Sequence, residues 1–162
     1  MSDIEPLGKE YLLVISKNQS PIFGILSTFT ERSIKIDGRD YKSPEHAIQA
    51  LRMKLLGRTG KVQQIIKAKT PHQARRCGDS HFQKSCSTAE QSYWYQHQIE
   101  TIIKVLWAYV TQYQQVKESL LLTGQASLIS FHQDKTRGHR ENIEGLVYTA
   151  IRSKLQLEDG RN

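Results

Sequence analysis

The spacing of apolar residues changes about a third of the way along the chain. Before residue 42, apolar residues form short runs at 11–15, 22–26 and 33–36, which are rich in Leu, Val and Ile or alternate with polar residues. Such runs are typical of strands. Asp37-Gly38 follows the third run, and this dipeptide favours the tight turn of a hairpin. We therefore predict extended structure in this third, including a hairpin that returns at Tyr41.

From residue 43 onward, the pattern is helical. Ser43-Pro44-Glu45 has the order of a helix start: a capping hydroxyl, a proline in the first turn and an acid that the helix dipole favours. Thr70-Pro71 repeats the start signal, and Gly78 predicts the end of that short helix. Amphipathic spacing predicts a long helix over about 90–113, a further apolar patch at 116–121, a strand at 126–131 and a closing helix after a polar loop at 134–140.

These elements predict one α+β domain over residues 1–162, compact and mainly helical, with a small amino-terminal antiparallel sheet. A chain of 162 residues fits one domain. No apolar run approaches the roughly 20 residues that cross a bilayer, and the acidic amino terminus is unlike a signal peptide. Cys77 and Cys86 are too few for a disulfide scaffold. We therefore expect a soluble, cytoplasmic protein with reduced cysteines and no membrane partner.

Positive charge is concentrated in one segment. The chain carries a net charge of +7, and residues 42–76 contain nine Lys or Arg but a single acid, Glu45. A cluster of this kind favours phosphate-bearing ligands, either nucleotides or nucleic acid. The alternative is that these residues lie on solvated helix faces.

Several residues could carry chemistry, each with a structural alternative. Glu45 could act as a general base or orient a sugar hydroxyl, or it could only stabilise a first helical turn. Trp94 could stack on a base or pack in the core. Asn142 could cap the closing helix or bind a ligand. The spacing of His132, Asp134 and His139 matches no dedicated metal site, so we predict no metal.

Taken in order, these motifs resemble the NADAR family, which is named for a proposed link to NAD and ADP-ribose metabolism. The resemblance covers about residues 23–152. The strongest match is the sequence YKSPEHAIQA at 41–50, which is similar to the family's Tyr-x-Thr/Ser-x-Glu-His-x-x-Gln-Ala motif. The other matches are LSTF at 26–29, Thr70-Pro71, Trp94, LLLTG at 120–124, and the closing series Asp134, Gly138, Asn142, Gly145 and Arg152.

The resemblance implies an N-glycosidase, a hydrolase that cleaves the bond between a phosphorylated ribose and a base or amine. Family substrates include riboflavin-pathway intermediates and ADP-ribose attached to guanine, so the implied partner is a phosphorylated nucleotide or ribosyl small molecule, or ADP-ribosylated nucleic acid. A carboxylate suits the sugar cation of such a reaction. No metal or redox cofactor is implied. By position, Glu45 and Asp134 match catalytic residues, and the residues matched to substrate binding are Thr28, Phe29, Arg52, Trp94, Arg137, Gly138 and Asn142.

Three motif positions depart from the family pattern. Arg52 replaces a lysine, and a guanidinium stays protonated and cannot form an imine with an opened sugar. Arg137 replaces a tryptophan, and Thr28 replaces an asparagine. These changes leave two alternatives open: a protein that binds ADP-ribose or a related nucleotide without cleaving it, and a nucleic-acid-binding module that uses the basic segment at 42–76.

Overall fold

Helices dominate the chain. The computed structural model describes residues 5–16, 20–130 and 142–160. Within those ranges it contains four three-residue strands, β1 (Leu12–Val14), β2 (Ile34–Ile36), β3 (Arg39–Tyr41) and β4 (Ser127–Ile129), and six helices, α1 (Pro44–Leu55), α2 (Thr59–Lys67), α3 (Pro71–Ser85), α4 (Thr88–Gln112), α5 (Gln114–Leu122) and α6 (Ile143–Glu158). The contacts divide into two units, Thr28–Ala108 and Met1–Ser27 with Tyr109–Asn162.

The unit Thr28–Ala108 begins with the predicted hairpin. Strands β2 and β3 are antiparallel, and Ile34 pairs with Tyr41. Asp37 and Gly38, at the turn, have φ angles of 50° and 76°. Positive φ at both central residues gives the turn that matches the twist of a two-stranded ribbon. The hairpin prediction is therefore confirmed.

Helices α1, α2 and α3 of the same unit pack against each other. The Ser43 hydroxyl caps α1 by accepting a hydrogen bond from the His46 backbone N–H, and Thr70 caps α3 in the same way from Gln73. Both predicted helix starts are confirmed. The predicted end of α3 at Gly78 is wrong, because α3 continues to Ser85. Gly78 lies in the helix interior, where glycine serves close packing.

In the other unit, β1 and β4 pair in parallel, and α6 packs against β4. The predicted strand at 22–26 is wrong: Gly24–Leu26 forms a 3-10 helix. The Gly24 carbonyl accepts from the Ser27 backbone N–H. The hydroxyls of two buried tyrosines, Tyr109 and Tyr148, donate to the carbonyls of Ile25 and Leu26. The backbone of this segment therefore has partners that replace a strand ladder.

The predicted fold class is confirmed in its main feature, a mainly helical chain with a small antiparallel hairpin near the amino terminus. The parallel β1–β4 pair was not predicted, because it joins segments far apart in sequence. Among the described residues, no helix is both long and apolar enough to span a bilayer. The polar loop that contains Asp134, Arg137 and Gly138 lies outside the described residues.

Candidate functional site

Glu45 is a buried carboxylate, and each of its two oxygens accepts a hydrogen bond from a neutral side chain. It lies in the first turn of α1 and is 1% exposed. Its Oε2 accepts a hydrogen bond from Thr28 Oγ1 at 2.9 Å, and its Oε1 accepts one from Gln49 Nε2 at 2.8 Å. The Glu45 backbone N–H donates to the Thr28 carbonyl at 2.9 Å. Buried acids are uncommon in proteins, so this placement marks Glu45 as a candidate for chemistry.

Gln49 connects Glu45 to a buried ion pair. Its Oε1 accepts from Arg52 Nη2, which also donates to Asp79 Oδ1 at 2.8 Å. Asp79 Oδ2 in turn accepts from Arg75 Nε at 3.2 Å. Because each side chain orients the next one, the carboxylate of Glu45 belongs to one connected polar network.

The planar guanidinium of Arg52 contacts aromatic rings in addition to the hydrogen-bond acceptors Gln49 and Asp79. It is 1% exposed, and its guanidinium carbon lies 4.7 Å from the ring centroid of Phe82 and 5.8 Å from that of Trp94. A carboxylate partner and aromatic faces of this kind offset the loss of hydration of a buried guanidinium. Arg52 thus orients Gln49 from the interior, and Trp94, also 1% exposed, packs beside it.

The packing of α3 against this network depends on Gly78. A Cβ atom at position 78 would overlap Gln49 Oε1 and would lie 3.0 Å from Arg52 Nη2. The absence of a side chain therefore allows Gln49 and Arg52 to take the positions that orient Glu45.

An aromatic and cationic group lies next to Thr28 in the chain. The rings of Phe29 and His72 are tilted against each other with their centroids 4.6 Å apart, and the Arg75 guanidinium carbon lies 5.5 Å from the Phe29 centroid. His72 is exposed. Flat rings bind bases, and a guanidinium binds phosphate oxygens, so this group suits a nucleotide-like ligand.

His46 connects the start of α1 to the residue that follows α2, because its ring bonds both Ser43 and the Ala68 carbonyl. Its Nε2 lies 3.1 Å from the Ala68 carbonyl, which can only accept, so Nε2 carries the proton. Its Nδ1 then accepts from the Ser43 hydroxyl at 2.7 Å. Burial lowers the pKa of His46 below its ordinary value of 6.5, which keeps the ring in the neutral form that this arrangement needs.

Five of the residues matched to the family site lie in the unit Thr28–Ala108: Thr28, Phe29, Glu45, Arg52 and Trp94. The other unit contains Asn142, whose Oδ1 accepts from the Ser130 backbone N–H and whose Nδ2 donates to the Leu128 carbonyl. Its side chain thus bonds the end of β4 and makes no capping bond to α6. Asp134, Arg137 and Gly138 lie outside the described residues.

Three residues of the network around Glu45, Gln49, Gly78 and Asp79, were not predicted as part of the site. Gln49 could have been found, because a residue four positions along a helix lies on the same face. Asp79 lies just beyond the basic segment, and its opposite charge was a signal for an ion pair with Arg52 or Arg75. Nothing local distinguished Gly78 from a helix terminator, or His72 from a solvated residue.

Part of the basic segment is neutralised within the fold. Arg52 and Arg75 both pair with Asp79, and Arg58 pairs with Glu90 at 2.7 Å. Three of the nine basic residues at 42–76 therefore have carboxylate partners, and the positive surface of the segment is smaller than its sequence indicates.

Comparisons with known proteins place the chain in a family. Residues 16–156 match the NADAR domain. The chain is also similar to the NMR structure of the E. coli protein YbiA, with a TM-score of 0.74 and 20% sequence identity over 99% of this chain and 94% of that one. This similarity concerns the fold alone. Among curated proteins, no significant match was found.

Proposed function

Because the chain belongs to the NADAR family, a family linked to N-glycosidase activity, we propose that it hydrolyses the N-glycosidic bond between a phosphorylated ribose and a base or amine. The observation that carries the proposal is the buried carboxylate of Glu45, oriented by Thr28 and Gln49. Its place in the strongest family motif supports the same reaction.

In the proposed reaction, water attacks the anomeric carbon of the ribose. The bond from that carbon to the base nitrogen breaks, and its electron pair leaves with the base, which then takes up a proton. Glu45 accepts a proton from the attacking water and stabilises the positive charge that develops on the sugar. Asp134, predicted from the family pattern, is the second acid of this proposal.

The contacts of Arg52 favour attack by water over an imine route. Its guanidinium is engaged by Asp79 and Gln49, and a guanidinium is not a nucleophile at neutral pH. Lys54, two positions further along α1, points to a different side of the helix. The role we propose for Arg52 is to hold Gln49 and thereby Glu45.

The aromatic and cationic group supplies the proposed ligand contacts. The base stacks on Phe29 and His72, and Arg75 binds a phosphate oxygen. Trp94 contributes indirectly in this proposal, because it packs beside Arg52, which holds Gln49. Contacts of Arg137, Gly138 and Asn142 with the substrate stay predictions from the family pattern.

Base release tests the proposal. The protein is incubated with ADP-ribosylated guanosine and, separately, with a ribosylaminopyrimidine phosphate, and the products are separated by chromatography. We expect release of the base or amine from one of them, and loss of that release in Glu45→Gln. Absence of release from both at high protein concentration would contradict the proposal.

The buried Arg52–Asp79 pair also favours a second candidate, an ADP-ribose-binding protein without turnover. At a position where the family carries a reactive lysine, this chain has a buried arginine that pairs with Asp79 and packs on Phe82. Calorimetry with ADP-ribose separates the candidates. Binding without base release from either substrate would support the second candidate, and no binding at millimolar ligand would reject it.

A further inference from the structure

A cavity lies on the side of α1 away from Glu45. It has a volume of about 300 Å³ and is lined by residues of the β2–β3 hairpin, the end of α1 and the first turns of α2. The polar residues that line it are Asp37, Arg39, Tyr41, Lys54, Thr59 and Gln63. This volume falls at the lower end of the range of about 300–1,000 Å³ that is typical of small-molecule sites.

The cavity is separate from the candidate active site. Lys54 follows Glu45 by nine positions on α1, and at 3.6 residues per turn nine positions amount to two and a half turns. Lys54 therefore projects from the face of α1 opposite to Glu45. None of the residues in the Glu45 network lines the cavity.

The polar side chains around this cavity have few partners in the protein. Among the residues that the structure describes, the side chains of Arg39, Tyr41, Lys54, Thr59 and Gln63 make no hydrogen bond or ion pair with one another or with other residues. Asp37 differs, because its Oδ2 lies 2.5 Å from Lys104 Nζ. The cavity thus has two cations and three neutral polar groups available for a ligand.

We propose that this cavity binds a small phosphorylated molecule, with its phosphate between Arg39 and Lys54. A phosphate matches this lining, because it offers several strong acceptor oxygens to two cations and to neutral hydrogen-bond donors. The hydrogen bond from Lys104 lowers the pKa of Asp37, so the single acid stays paired with Lys104. Burial raises the pKa of Tyr41, which keeps its hydroxyl protonated as a donor. The small volume of the cavity favours a free metabolite over a polymer backbone.

An NMR titration with ribose 5-phosphate tests this site. Amide shifts are followed at constant ionic strength, with ribose as the uncharged control, in the parent protein and in the double variant Arg39→Gln/Lys54→Gln. The matched control is Lys35→Gln/Lys61→Gln. It also removes two positive charges, but from residues of β2 and α2 that do not line the cavity. Circular dichroism checks that each variant is folded.

We expect saturable shifts at residues 37–41 and 54–63 with ribose 5-phosphate but not with ribose. Affinity should fall at least about tenfold in Arg39→Gln/Lys54→Gln and stay unchanged in the control, because each charge-assisted hydrogen bond is worth about a factor of ten. Absence of saturable shifts, equal weakening in both variants, or shifts confined to 28–29 and 72–79 would overturn the proposal. The Glu45→Gln variant should bind as the parent does, so this test is independent of the proposed hydrolysis.

Discussion

Two helices of the unit Thr28–Ala108 carry an acid in their first turn, and the two acids have different partners. Glu90, in α4, accepts from the Ser87 backbone N–H at 2.7 Å, while its own N–H donates to the Ser87 hydroxyl at 3.2 Å. This reciprocal pair is a capping box. The hydrogen bond from Ser87 lowers the pKa of Glu90, and Arg58 pairs with its other oxygen. Glu90 therefore stabilises the start of its own helix.

Glu45 does not have this capping role. The Ser43 hydroxyl that caps α1 bonds with the backbone N–H and ring of His46, while the Glu45 carboxylate is bound by Thr28 and Gln49. Its side chain is buried, whereas that of Glu90 is 31% exposed. The difference shows that an acid at a helix start can be held by side chains outside the capping motif, here Thr28 from a preceding segment and Gln49 from the next turn of α1, which is the kind of fixed orientation that a catalytic carboxylate needs.

The strongest test of this comparison is the removal of each charge in turn. We expect Glu45→Gln to reduce the rate of base release by about 10³-fold, as the loss of a general base does. Glu90→Gln, the matched control, should leave the rate unchanged because the Glu90 carboxylate caps α4 and pairs with Arg58, neither of which is part of the network around Glu45. The rates are measured under single-turnover conditions. Equal activities of the two variants would remove the catalytic role of Glu45.

The second test concerns the ion pairs behind each acid. Asp79→Asn leaves Arg52 buried without a carboxylate and should lower the free energy of unfolding by about 3 kcal/mol. Glu90→Gln breaks the partly exposed Arg58 pair and should have a much smaller effect. Urea unfolding at pH 7.5 measures both. If the two variants lost similar amounts of unfolding free energy, the buried Arg52–Asp79 pair would not be more important for stability than the partly exposed Arg58–Glu90 pair.

A third test compares two helical glycines. Gly78→Ala forces Gln49 and Arg52 to move, which should cost about 1–3 kcal/mol of stability and should reduce kcat more than it changes KM. Gly60→Ala in α2 meets nothing within 4 Å, so stability should be unchanged or raised by up to about 1 kcal/mol through helix propensity. Urea unfolding and steady-state kinetics provide the two measurements. A Gly78→Ala protein with unchanged kcat would separate the network from catalysis.

The smallest expected effect is the pH dependence contributed by His46. Its pKa is lowered in the folded state, so below about pH 6.5 the unfolded chain binds more protons and stability falls as the pH decreases. His81, whose pKa burial also lowers, adds to the same decline. Between pH 7.5 and 5.5, the decline in urea midpoint should be shallower in His46→Gln than in the parent. Equal slopes in the two proteins would contradict this assignment.

Local patterns predicted what depends on neighbouring residues. The Asp37-Gly38 turn, the Ser43 and Thr70 caps and the family motif around Glu45 are short-range features that the structure and the family match confirm. The strand predicted at 22–26 was wrong, because its apolar residues pack in a 3-10 turn whose carbonyls are bound by distant tyrosines.

The candidate site was predicted only in part. The family motifs at 26–29 and 41–50 identified Thr28, Phe29 and Glu45 as candidates. Asp79 was not identified, because it follows Arg52 by 27 positions and only the packing of α3 on α1 brings the Arg52 and Asp79 side chains within hydrogen-bond distance. The prediction for Gly78 failed for the same reason. Whether a glycine ends a helix or makes room for a neighbouring side chain depends on what packs against it.

The amino-acid sequence by itself determined the mainly helical character, the helix starts and the family motif, because capping, turn chemistry and apolar periodicity act over a few residues. The tertiary structure decided that Glu45 is buried and held by Thr28, that Arg52 faces Asp79 rather than solvent, and that Arg39 and Lys54 line one cavity. Those properties arise from contacts between distant segments, whose energies depend on burial and on the geometry of packing.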